Sequence, residues 1–215
     1  DRDMGSYVAD AGQVIANAVD LPAGYAVEFS GQYEQMQEAN ARLKIAIPAA
    51  IALIFLLLML HFGRLDRTLI IMASLPFGLV GGMWAVWLAG YNLSVAVAVG
   101  FIALSGVAVL GDIVLVSRIK DHEAEGMPTL EAVRTAAVTR VRPVVMTSLV
   151  AALGFLPMAL NTGVGAEVQR PIATVVVGGM LSSTLATLFV LPVLYTAFAR
   201  KEEGEDESEA EEVEP

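Results

Sequence analysis

The sequence contains no cysteine, only two histidines, and charged residues make up just 17% of it. Without cysteine, these 215 residues hold neither a disulfide nor a thiolate metal site. Little charge also excludes an ordinary soluble domain, which carries about 25% charged and about 45–50% apolar residues. Here 56% of residues are hydrophobic and the mean hydropathy is +0.64, the composition of an integral membrane protein. Also missing are HExxH, GxSxG and any phosphate-binding Gly-Lys loop, so no enzyme is expected and no cofactor is implied. Thirteen Lys and Arg against 23 Asp and Glu leave no basic surface for nucleic acid. The formal charge of −10 is concentrated, because nine acids lie within residues 202–214 and setting those nine aside leaves −1. The chain opens on Asp1 with no signal-peptide pattern before its first apolar run. It therefore reads as a piece of a longer protein.

What is present is a series of long apolar runs. Each reaches about the 20 residues needed to cross a bilayer as a helix. The expected fold is an all-α membrane protein, a five-helix transmembrane bundle with a short N-terminal α/β stub. Spans are expected at about 44–61, 68–89, 93–117, 143–160 and 171–198. Residues 1–42 are more polar: a helix is expected over about 3–19, a turn at 21–24 and a half-buried strand over 25–31. Residues 128–139 predict a separate amphipathic helix at the membrane surface, followed by Pro143 at the first turn of the fourth span. Residues 200–215 predict a disordered acidic tail. Gly78 and Gly82 in the second span, and Gly178 and Ser182 in the fifth, have the small-residue spacing that lets helices approach closely.

Lys and Arg near span ends set orientation. Arg64, Arg67, Arg118, Lys120, Arg134, Arg140, Arg142, Arg200 and Lys201 fall on one side, whereas the opposite loops hold only Arg170. The N-terminal stub is therefore expected outside and the tail in the cytoplasm.

One acid interrupts the apolar runs: Asp112, in SVAVAVGFIALSGVAVLGDIVLVSR. A charge at membrane depth costs several kcal/mol and usually marks function. Asp112 reads either as a titratable group facing the bundle or as a partly hydrated acid near Arg118. Thr147 reads as a relay hydroxyl or as a back-bonded helix threonine. His61 and His122 read as interfacial polar residues, and Met36 alone specifies no metal.

Several stretches together resemble the C-terminal end of resistance-nodulation-division efflux transporters. They are RVRPVVMTSLVAALGFLPMALNTGVGAE, the GGM of the fifth span, FVLPVLY, and LPFGLVGGMWAVWLAGYNLSVAVAVGFIALSGVAVLGDIVL. SGQYEQMQEANARLK resembles the porter–membrane junction of the heavy-metal branch, the copper/silver and cobalt/zinc/cadmium exporters. The resemblance implies spans eight to twelve of a proton-driven heavy-metal cation pump in the inner membrane. It further implies a homotrimer, the pump's own N-terminal half, a periplasmic adaptor and an outer-membrane channel as partners, with metal cation and protons as cargo. Residues 1–42 would then end a periplasmic porter domain, 43–199 form the bundle and 200–215 the tail. Carried over by position, Thr147 and Arg140 match relay positions of the drug-exporting branch. The relay Lys of that branch corresponds to Leu110, and Asp112 falls two residues later. The principal acids and the metal ligands of the family lie outside this sequence, so the metal ligands are unknown. A multidrug- or lipid-exporting relative and a non-transporting membrane scaffold are the alternatives.

Overall fold

The structure is a computed structural model, and it describes residues 4–19, 22, 24, 26, 27 and 29–199. The helices are α1 (Met4–Ala18), α2 (Gln32–Phe62), α3 (Leu65–Leu88), α4 (Val95–Ala124), α5 (Thr129–Leu160) and α6 (Ala166–Leu185). A π-helical stretch, Ala186–Val190, follows α6, and helix continues over residues 191–199. The chain divides into two units, residues 1–49 and 50–215.

In the first unit, α1 meets the connecting segment where Phe29 packs against Gly12, and Phe29 lies edge-on to Tyr33 at 6.3 Å. Among the described residues no strand forms, so the structure gives no α/β stub. A strand needs a neighbour to accept its ladder of hydrogen bonds, and residues 26, 27, 29 and 30 have none. Tyr25 and Glu28 of that segment, and the whole acidic tail, lie outside the described residues.

In the second unit the helix ends follow from local chemistry. Ser94 caps α4 by accepting from the Val97 N–H at 3.4 Å. Gly90, at φ 71°, ends α3 with Tyr91 N–H bonding back to Val86 C=O. Gly126, at φ 87°, does the same after α4, with Met127 N–H on His122 C=O.

α6 is the central helix, packing on α3, α4 and α5. Between helices in lipid the gain comes from close packing and hydrogen bonds rather than from water exclusion, and the α3–α6 crossing shows both. A methyl on Gly178 would meet the Ala85 side chain and come within 2.8 Å of Gly81 C=O. One on Gly82 would lie 3.1 Å from Val175 C=O, and one on Gly78 3.3 Å from Ser183. Ser182 Oγ accepts from Gly81 N–H at 3.0 Å and donates to Gly78 C=O at 2.5 Å. Two apolar clusters flank this crossing. One is built around Ile71, Leu115, Val116, Ile119 and Leu191, the other around Val97, Leu104, Val175 and Met180.

The expected surface helix over 128–139 and the expected span over 143–160 are one continuous helix, α5. Pro143 therefore sits inside a helix and not at its first turn. Proline withholds one N–H from the ladder, and the hydroxyls on either side bond nearby carbonyls: Thr139 to Thr135 and Ala136, Thr147 to Pro143. All five helices expected to span are long and apolar enough to do so, over Tyr33–Phe62, Leu65–Leu88, Val95–Ala124, Thr129–Leu160 and Ala166–Ala199.

Candidate proton-carrying site

Asp112 lies on the inner face of α4, 3% exposed. Both carboxylate oxygens are held by hydroxyls from other segments. Oδ1 accepts from Thr187 Oγ1 at 2.5 Å, and Oδ2 is bonded to Ser74 Oγ of α3. Ser74 Oγ also reaches Ile71 C=O at 2.8 Å. No Lys, Arg or His pairs with Asp112 among the described residues.

The arrangement is satisfied with or without a proton. As a carboxylate, Asp112 accepts from both hydroxyls. As a neutral acid, it donates to Ser74 Oγ, which passes its own hydrogen to Ile71 C=O. A buried acid with partners in both states can gain and lose a proton without leaving a bare polar group, whose cost is about 1–3 kcal/mol.

Beside this site is a groove of about 300 Å³ between α4, α5 and the end of α6. Arg140, Thr147, Ser148, Thr184 and Thr187 supply its polar lining, and Leu110, Val114 and Met180 part of its apolar wall. The structure thus places Arg140 and Thr147 in one groove but does not bring either onto Asp112. Thr147 Oγ1 instead donates to Pro143 C=O at 2.9 Å. Arg140 pairs with no acid among the described residues. Leu110 is exposed at the groove wall.

Ser74 and Thr187 did not stand out in the sequence. Ser74 had one legible signal, since it extends the Gly78–Gly82 stripe by one turn, at i, i+4, i+8. Thr187 had one too, since it follows Met180, Ser183 and Thr184 at helical spacing and all four line the groove.

A second polar cluster joins three helix ends. Glu123 of α4 accepts from Tyr195 O–H at 3.0 Å and faces Arg67 of α3 at 3.7 Å. His61 lies 3.4 Å from Ser117 Oγ. Among the described residues no group of three or more His, Asp or Glu is placed to hold a metal.

Residues 1–199 match the AcrB/AcrD/AcrF family. The chain belongs to that family. As a family member with five long apolar helices, it is a multi-pass membrane protein. The cobalt-zinc-cadmium resistance protein CzcA of Cupriavidus metallidurans is 50% identical to it over 207 residues, 96% of this chain and 20% of CzcA. The nickel and cobalt resistance protein CnrA of the same organism is 47% identical over 210 residues, 97% of this chain and 20% of CnrA. The cation efflux system protein CusA of Escherichia coli K12 is 42% identical over 207 residues, 91% of this chain and 20% of CusA. A crystal structure of a heavy metal efflux pump superposes with a TM-score of 0.78 at 42% identity, over 93% of this chain and 20% of that one. The family member described here thus spans about one fifth of the length of these relatives.

Proposed function

We propose that the chain is the C-terminal transmembrane part of a proton-driven heavy-metal cation efflux pump, a metal/proton antiporter of the resistance-nodulation-division type. The observation that carries the reading is likeness to cation and metal resistance proteins at 42–50% identity over nearly the whole chain. Buried Asp112, held by two hydroxyls without a basic partner, supports coupling to protons. Asp112 is the proton carrier in this part of the pump, and the groove holding Arg140 and Thr147 is the wet side from which it is served.

By the same reading the protein is a secondary transporter in the inner membrane. It assembles as a homotrimer with a periplasmic adaptor and an outer-membrane channel. Residues 1–42 close an α/β porter domain on the periplasmic side, 43–199 form the bundle, and 200–215 are a cytoplasmic tail. The excess of Lys and Arg around the α2–α3 and α4–α5 connections supports that orientation.

The test is resistance of a metal-sensitive host carrying the full-length pump, challenged with zinc, cobalt and cadmium. Asp112→Asn keeps the size of the side chain but cannot carry a proton. Resistance should fall to that of the empty vector, with the amount of protein in the membrane unchanged. Wild-type resistance in this variant would remove Asp112 from the proton path. Lack of resistance to any cation by the unaltered pump would remove the cation-efflux reading.

A further inference from the structure

Asp112 does not line the groove, yet Thr187 both lines it and donates to Asp112 Oδ1 at 2.5 Å. Thr187 is the residue that touches both the carboxyl group and the groove. We propose that the Thr187 hydroxyl is the proton conductor between buried Asp112 and water in the Arg140–Thr147 groove. The proposal rests on the reading of Asp112 as a proton carrier and names the group that loads it.

Three observations support this role. On α6 and its extension the hydroxyls of Ser183, Thr184 and Thr196 donate to carbonyls three or four residues back. Thr187 forms no such bond, and its hydrogen goes to Asp112 alone. Thr187 lies in the π-helical stretch Ala186–Val190, and single π turns inside α-helices occur frequently at functional sites. Gly111, on the turn beside Asp112, leaves Thr187 Oγ1 room, since even a methyl there would lie 3.7 Å away.

The step balances. A hydronium in the groove gives a proton to a lone pair of Thr187 Oγ1, leaving water, as the hydroxyl hydrogen passes to Asp112 Oδ1. Threonine ends neutral with one hydrogen, now turned to the groove, and Asp112 becomes a neutral acid that donates from Oδ1 to Thr187 Oγ1 while Ser74 Oγ donates to Oδ2. Unloading is the reverse, with the Asp112 proton going to Thr187 and the threonine hydrogen to groove water.

The test uses the purified full-length pump in proteoliposomes, followed by time-resolved infrared spectroscopy of carboxyl protonation after a pH jump. The Asp112 band is the one that Asp112→Asn abolishes. Thr187→Val preserves shape and removes the hydroxyl, with Thr187→Ala in its place if the valine variant does not assemble. Thr187→Ser restores the hydroxyl. Proton exchange at Asp112 should slow about 10-fold or more in the valine or alanine variant and stay within about threefold of wild type in the serine variant, the scale of a lost proton-transfer group. Wild-type exchange without the hydroxyl, or equal slowing in the serine variant, overturns the role of Thr187. A carboxyl signal unchanged by Asp112→Asn overturns the carrier reading beneath it, so the two failures are told apart.

Discussion

At Ser182 a side chain of α6 enters the hydrogen bonding of α3, taking a bond from Gly81 N–H and giving one to Gly78 C=O. Ser182→Ala deletes both bonds but creates no clash, so it should cost about 1 kcal/mol. Gly178→Ala is the harsher change, because its methyl would meet Ala85 and the Gly81 carbonyl at 2.8 Å, and neither can rotate away. The expected cost is about 1–3 kcal/mol. Thermal unfolding of the full-length protein in detergent should order the three as wild type, Ser182→Ala, then Gly178→Ala; the reverse order of the variants would show that space at this crossing is not limiting. The small residues were legible in the sequence because their four-residue spacing is a property of the helix itself. So was Asp112, as the acid within an apolar run. Its partners were not. They are Ser74 and Thr187, and which hydroxyls reach a carboxylate depends on how helices cross.

Helices separate what a local pattern can show from what it cannot. The five apolar stretches follow from length and hydropathy, and the ends at Ser94, Gly90 and Gly126 follow from capping chemistry. The division between a surface helix and a span at Pro143 did not hold, because a proline costs one hydrogen bond, that to the Thr139 carbonyl, but does not forbid a helix whose other bonds continue. The π-helical stretch was also invisible, although its cause is written close by. Pro192 has no N–H for the carbonyl of Leu188 and its ring crowds that carbonyl, so the turn before it widens. Pro192→Ala restores the donor. It should let the stretch tighten toward α geometry and draw Thr187 off Asp112, and under the proposed function it should lower metal resistance conferred by the full-length protein. Hydrogen exchange over residues 186–192 should slow at the same time. Unchanged exchange and resistance would show that the proline does not set this turn.

Across the second unit, the pairing of helices is the part that hydropathy could not supply. Apolar stretches of similar composition can pack in many orders, and the observed order is chosen by close approach at glycines and by a few polar ties. One tie is Glu123, shared by Arg67 and Tyr195, which fastens the ends of α3, α4 and the α6 extension. Arg67 and Glu123 are each mostly shielded from water, so the cluster should count for more than an exposed pair, whose typical worth is about 0–1 kcal/mol. Glu123→Gln keeps a partner for Tyr195 but removes the charge facing Arg67. Its expected cost is about 1–2 kcal/mol, read as a lower unfolding temperature in detergent. Hydrogen exchange at the three helix ends should quicken, while residues 97–104 and 172–180 stay as protected as before. Uniform quickening would mean that the cluster acts on the whole bundle.

The π-helical stretch also bears on the history of the gene. A π turn holds one residue more than an α turn, so Ala186–Val190 has the form of a single-codon insertion absorbed in place. Removing one residue anywhere else in α6 would rotate everything after it by about 100°. Removing Phe189, which is 65% exposed, should instead heal the helix and leave Tyr195 facing Glu123. Relatives of this chain that lack one codon here would then share its architecture while differing in where they present the hydroxyl.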